Sequence, residues 1–268
     1  MLSFRTIVDF IIKNDYPNLK IFLENRHCNV DDTNDENDLT ALMVAASMGK
    51  LDFAYLLITH GANINAEDSE GATPLHHAAK NDHPTVCQEL IEAGAPIESA
   101  DPGGWTPLIW ACYKGNASTV DCLVSRGADV NAKDTYNLTG LIWSSGRGHY
   151  DVVEILLENN AKVDAADKYG TTSLIWAARS GHMDICGLLL RAGASVDAVG
   201  MFSWTPLLEA TRTNKYEIVE QIINKSPNIN AVDQHGFTAL AIASKEGYTD
   251  IALKLINAGA YVNLQVTF

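Results

Sequence analysis

Positive charge is scarce in this chain of 268 residues: Lys and Arg total 19 against 33 Asp and Glu, a formal charge of -14. That excludes a general binder of nucleic acid or anionic lipid, because neutralising phosphates takes clustered Lys and Arg. Long apolar runs are missing too, and none approaches the roughly 18 residues that a membrane span takes. The opening MLSFRTIVDF holds Asp9 inside its apolar stretch and has no small-residue cleavage site, so it does not read as a secretory signal. The five cysteines (28, 87, 112, 122 and 186) are odd in number and lack any Cys-x-x-Cys spacing. They read as buried thiols in a reducing compartment, and the chain is expected to be cytoplasmic. In that setting the sequons at Asn116, Asn137 and Asn224 are coincidental.

Sets of residues for catalysis or metal binding are absent as well. His76 and His77 are adjacent, about 100° apart on a helix, which does not suit the i, i+4 pair of a metal site. His149 and His182 each follow a turn glycine and recur for packing. Gly146-Arg147-Gly148 lacks the Gly-Lys-Ser/Thr ending of a phosphate loop, and the acidic stretch 31–38 lacks the glycine and terminal glutamate of a calcium loop. No Ser/His/Asp or Cys/His set stands at an informative spacing. The expectation is a chain that is not an enzyme, with no cofactor and no metal.

What the sequence does have is a period. A threonine falls at 40, 73, 106, 139, 172, 205 and 238, a spacing of 33 without a slip. Two places on stands a leucine every time, from Leu42 to Leu240, and five places on a small residue, Ala or Ser144. Nine places on come Gly49, Asp82, Gly115, Gly148, Gly181, Asn214 and Gly247, residues that tolerate a left-handed backbone and so end a helix. A second apolar stripe follows in each unit and ends at Gly61, Gly94, Gly127, Asn160, Gly193, Ser226 and Gly259. Each unit therefore reads as helix, tight turn, helix, then a projecting β-turn finger, and neither helix buries its stripe without the neighbouring units.

These phrases, above all Gly71-Ala72-Thr73-Pro74-Leu75-His76 and Asn63-Ile64-Asn65-Ala66, resemble the ankyrin repeat consensus. The resemblance implies an all-α solenoid of paired antiparallel helices with projecting fingers. It covers seven repeats over 32–264, preceded by a capping helix pair in 1–31 with helices at Phe4–Lys13 and Leu19–Glu24. Residues 265–268 read as the opening of a further finger, so the chain is expected to be a piece of a longer array. Gly103 to Gly115, Asp167 to Arg179 and Ala243 to Gly247 are more particular. They resemble the N-terminal array of the ankyrin repeat-rich membrane-spanning scaffolds, also called kinase D-interacting substrates. That narrower resemblance implies receptor-linked signalling on the cytoplasmic face of a membrane. Its partner classes would be neurotrophin-type receptor complexes and cytoskeletal or Rho-type regulators, with no membrane insertion by this segment itself.

Columns counted from the threonine locate a candidate surface on the fingers and first helices, the concave side of such arrays. Four places on stand Trp110, Trp143 and Trp176, each closing a Leu-Ile-Trp phrase; one place before stand Trp105 and Trp204. Three places before, on the finger, are Tyr136, Tyr169 and Phe202. Seven or eight places on are Tyr113 and the cations Lys80, Lys114, Arg147, Arg179, Arg212 and Lys245. Large stiff rings anchor interfaces, and a basic strip in an acidic body steers an acidic partner. The expected ligand is an extended or partly helical peptide with hydrophobic and acidic residues, crossing repeats three to six. Two plainer readings stand beside this one. The indoles pack sideways between helices, and the cations merely complement helix C-terminal dipoles, worth about 0.3–1 kcal/mol each. On those readings the array is a structural or self-associating spacer.

Overall fold

A computed structural model describes residues 2–24, 28–34 and 36–263. The chain forms two compact units, Met1–Thr135 and Tyr136–Phe268. In the first unit, α1 (Leu2–Ile12) and α2 (Tyr16–Glu24) precede three helix pairs. These are α3 (Ala41–Ser47) with α4 (Leu51–Thr59), α5 (Pro74–Lys80) with α6 (Pro84–Glu92), and α7 (Pro107–Lys114) with α8 (Ala117–Ser125). The second unit has α9 (Gly140–Arg147) with α10 (Tyr150–Glu158), α11 (Ser173–Ser180) with α12 (Met183–Arg191), α13 (Pro206–Arg212) with α14 (Tyr216–Ile223), and α15 (Ala239–Glu246) with α16 (Thr249–Asn257). Among the described residues there is no strand; isolated bridges such as Ala166 with Thr172 and Val232 with Thr238 close individual fingers. The fold is the all-α solenoid of helix pairs that the 33-residue period predicts.

The recurring threonine turns out to be the N-cap of every first helix. In five of the seven its hydroxyl accepts from the backbone N–H three residues on, as Thr106 does from Ile109 at 3.3 Å and Thr238 from Ala241 at 3.2 Å; Thr73 and Thr172 make no such bond. Pro74, Pro107 and Pro206 follow it at the first helical position, where a missing N–H costs nothing. Helices of seven to nine residues are too short to persist alone in water, so packing holds them. Leu42, Leu75, Leu108, Leu141, Leu174, Leu207 and Leu240 are buried, and the small residues three places after them are fully buried. All the residues named above as helix-ending have positive φ, including the non-glycines Asp82, Asn160, Asn214 and Ser226.

Two details differ from the sequence reading. The second capping helix begins at Tyr16 rather than Leu19, because the Asp15 carboxylate caps it, accepting from Asn18 N–H at 3.3 Å, and Pro17 is harmless in a first turn. The first begins at Leu2 and stops at Ile12. The finger opening at 265–268 lies outside the described residues. The cysteines are free; Cys87, Cys112 and Cys186 are buried as expected, but Cys28 and Cys122 are only half-buried. No helix of the described residues is long and apolar enough to cross a membrane.

Candidate functional site

In most repeats the finger is built on an aspartate five places before the capping threonine. Asp68 Oδ1 accepts from the backbone N–H of Glu70 and of Ala72, both at 2.9 Å. Asp101 does the same with Gly103 and Trp105, Asp167 with Tyr169 and Thr171, and Asp233 with His235 and Phe237. One carboxylate oxygen thereby fixes the two backbone amides that carry the residues three and one before the threonine, the positions of the candidate aromatics. These aspartates were legible in the sequence, since Asp68, Asp101, Asp134, Asp167 and Asp233 keep the 33-residue spacing.

The other oxygen reaches the first helix. In the first unit Asp68 Oδ2 lies 2.9 Å from His77 Nε2, and Asp101 Oδ2 accepts from Trp110 Nε1 at 3.0 Å. Trp110 is half-buried, with its ring 4.6 Å from that of Trp105 and Lys80 Nζ 4.4 Å above it. Tyr113 closes the cluster edge-on, 5.0 Å from Trp105, with Lys114 Nζ 5.7 Å away. Four of the predicted residues (Trp105, Trp110, Tyr113, Lys114) are thus gathered in one aromatic and basic cluster.

The other ten lie in the second unit, and there the sixth repeat breaks the finger pattern. Gly200 stands where the aspartate should be, and the residue four after the threonine is itself a carboxylate, Glu209. Its side chain is only 2% exposed and is held by two guanidiniums. Oε1 accepts from Arg179 Nε at 2.9 Å and from Nη2; Oε2 accepts from Arg212 Nε at 3.2 Å and Nη2 at 2.8 Å. Arg179 also lies over the Trp176 ring at 5.1 Å, and Arg212 over Trp204 at 5.2 Å. The picture of Arg179 and Arg212 as open cations of a basic strip is corrected accordingly: a carboxylate of the same chain holds both. The two arginine side chains remain 34% and 47% exposed.

Between α9 and α11, Trp143 and Trp176 line a pocket of about 200 Å³ with Leu138, Ile142, Gly146 and Arg147. Gly146 makes the room. The same column holds Lys80, Tyr113, Arg179, Arg212 and Lys245 in other repeats, and a Cβ here would already stand 3.4 Å from the Trp176 ring. Both indoles are half-buried, neither sealed nor open, and Trp176 Nε1 is buried without a hydrogen-bond partner.

On the fingers, Tyr136, Tyr169 and Phe202 are 51%, 49% and 55% exposed. Lys168 sits between the first two, its Nζ 3.6 Å from the Tyr136 ring centre and 4.9 Å from that of Tyr169. Sequence reasoning missed Lys168, which faces two rings; the signal was a lysine directly before a column aromatic. Backbone rungs join neighbouring fingers, Lys168 N–H to Tyr136 O at 2.9 Å and Gln234 N–H to Phe202 O at 3.0 Å. Phe202 and Ser203 both adopt left-handed backbone, φ 60° and 61°, in the finger that lacks its aspartate. Lys245 is exposed at the end of α15, 5.7 Å from the Phe237 ring.

His76 and His182 each bond a backbone carbonyl of a neighbouring repeat. His76, buried, joins Thr73 N–H through Nδ1 at 3.1 Å and the Trp105 carbonyl through Nε2 at 3.0 Å; burial pushes its pKa below 6.5. His182 Nε2 lies 3.2 Å from the Gly146 carbonyl of the preceding repeat. Burial likewise raises the thiol of Cys186 to about 12 and pushes those of Cys87 and Cys112 up strongly, the opposite of an activated nucleophile. Among the described residues no three His, Cys, Asp or Glu side chains stand together as metal ligands would.

A family model described as ankyrin repeats (three copies) matches residues 7–101, 67–134, 108–199 and 193–266. Among curated proteins, mouse Rabankyrin-5 is 45% identical over 51 residues, 19% of this chain and 4% of that protein. Human M-phase phosphoprotein 8 is 37% identical over 79 residues, 29% of this chain and 9% of its own length. Mouse protein phosphatase 1 regulatory subunit 27 is 33% identical over 83 residues, 31% of this chain and 53% of that protein. The matched stretches span a small part of the first two relatives.

Proposed function

This chain belongs to the ankyrin repeat family, and from that premise we propose that it is a non-enzymatic recognition module of a signalling scaffold. Its ligand is a protein segment carrying hydrophobic and acidic residues, bound on the fingers and first helices. The observation that carries this reading is the set of finger aromatics in the second unit. Tyr136, Tyr169 and Phe202 leave about half their surface in water, with Lys168 held between two of the rings. Stiff rings held out on hydrogen-bonded turns bury much area on binding at little entropic cost, and the cations over them favour an acidic partner. The candidate contact residues in this unit are Tyr136, Trp143, Arg147, Tyr169, Trp176, Arg179, Phe202, Trp204, Arg212 and Lys245, joined by Lys168, with Arg179 and Arg212 held in place by Glu209. In the first unit they are Trp105, Trp110, Tyr113 and Lys114.

The finer placement rests on the phrases at 103–115, 167–179 and 243–247, which resemble the ankyrin repeat-rich membrane-spanning scaffolds. It sets the module on the cytoplasmic face of a membrane, with neurotrophin-type receptor complexes and cytoskeletal or Rho-type regulators as partner classes. Photo-crosslinking from Tyr169 and identification of the captured protein, followed by titration of that protein, tests the proposal. Tyr169→Ala and Arg147→Glu proteins that keep the native circular dichroism should each weaken binding at least tenfold. Unchanged affinity in both removes the surface from the function.

A second reading, self-association, has its own observation: Leu253 and Ile256 on α16 and, beyond it, Tyr261 and Val262 are all exposed. A molar mass that rises with concentration and reverts in Leu253→Glu would favour it.

A further inference from the structure

Two features of the second unit flank one side chain. The pocket between α9 and α11 is lined on one side by Trp176. In the next groove, between α11 and α13, the Arg179 guanidinium lies over Trp176 and shares Glu209 with Arg212. A cavity of about 150 Å³ admits a benzene ring, so a pocket of about 200 Å³ is of a size for one large aliphatic or aromatic side chain. Its room depends on Gly146, the one glycine in a column that elsewhere holds serine or a long side chain. The adjoining groove is an anion site with its donors already set. Two guanidiniums against one carboxylate leave one positive charge in a chain whose formal total is -14. Glu209 occupies the Nε and one terminal nitrogen of each guanidinium, and each has five N–H donors, so the other terminal nitrogen of each is not used by Glu209, in side chains that are 34% and 47% exposed. The buried carboxylate and the indole faces hold both arginines in place, which removes most of the ordering cost of gripping an acid.

Building on the recognition role proposed above, we propose that α9, α11 and α13 read a two-point code: a large apolar side chain in the Gly146 pocket and an acidic side chain on the Arg179–Arg212 pair. Successive packed helices stand about 8–10 Å apart, so the two points are one helix spacing apart. An extended chain advances about 3.3 Å per residue, and that distance corresponds to three residues. The ligand is an extended protein segment in which a leucine-sized or aromatic residue and an Asp or Glu are separated by two others.

The test is selection of random twelve-residue peptides displayed on phage against the full 268-residue chain, followed by fluorescence anisotropy with the winning peptides. The expected winners share an apolar residue and an acid three positions apart. Gly146→Leu, which fills the pocket from the last turn of α9, where leucine is the better helix former, should weaken them at least tenfold while leaving the urea midpoint at or above that of the parent. Gly146→Ala should retain most of the binding. Arg212→Gln should weaken them about fivefold, and that factor should disappear when the acid of the peptide is changed to its amide. Winners without the spacing, or binding indifferent to Gly146→Leu, overturn the code. If such binding is still lost in Tyr169→Ala, the recognition role stands and only the code falls. Binding indifferent to Tyr169→Ala as well, or a library that yields no binder, overturns both.

Discussion

Glu209 offers a measurement in which the direction of each effect is set by burial. The carboxylate is 2% exposed, whereas its partners Arg179 and Arg212 are 34% and 47% exposed. Removing one arginine leaves the carboxylate with the other, and the lost pair was partly solvated, so Arg179→Met and Arg212→Met should each cost about 1 kcal/mol. Removing both strands an ionised group inside the protein, and the cost of breaking a buried pair, about 3–5 kcal/mol, then applies. The double variant should therefore exceed the sum of the singles by about 1–3 kcal/mol, the range for residues in one network. Glu209→Leu abolishes the same four hydrogen bonds yet should cost only about 1 kcal/mol, because the guanidiniums it releases reach water and the leucine is apolar. Urea unfolding followed by far-ultraviolet circular dichroism gives all four values. Additive arginine substitutions, or a Glu209→Leu loss as large as that of the double variant, would refute the assignment of Glu209 as a buried charge shared by two cations.

Three further outcomes follow from other parts of the fold. Ser203 has φ 61° where Gly71, Gly104, Gly170 and Gly236 occupy the same column, so Ser203→Gly should raise stability by about 0.5–1 kcal/mol in urea unfolding, strain relief exceeding the added chain entropy. His76 has a folded pKa below its ordinary 6.5, so the unfolded chain takes up the proton first. The stability it contributes is complete above pH 6.5 and is lost as the pH falls from there toward its folded pKa; His76→Gln should show a shallower loss of unfolding midpoint between pH 7 and pH 5. Of the five thiols, Cys28 and Cys122 are half-buried and should react with a chromogenic disulfide in the native protein, while Cys87, Cys112 and Cys186 should react only on unfolding, as counted by absorbance with and without urea.

The repeat plan was legible because its signals are local. A capping threonine, a leucine two places on, a small residue at the helix crossing and a left-handed residue at each helix end all act within one repeat, and each was found where the spacing put it. The start of α2 was misread because a carboxylate cap at Asp15 and an early Pro17 say nothing through apolar periodicity. The aspartates that fix the fingers were legible in principle, since they share the period. Lys168 was legible only as a lysine directly before Tyr169; its place over Tyr136 was not, because that depends on one finger lying beside the next.

By itself, then, the sequence determined the repeat period, the helix pairs and which columns carry rings and charge, since period and capping chemistry are properties of neighbouring residues along the chain. Only the tertiary structure decided what those rings and charges are free to do. Arg179 and Glu209 are 30 residues apart in sequence, and nothing in either repeat alone announces that they meet. The same stacking that creates the pocket at Gly146 closes the arginines onto a buried carboxylate, because side chains in successive repeats fill or leave empty the single groove between them.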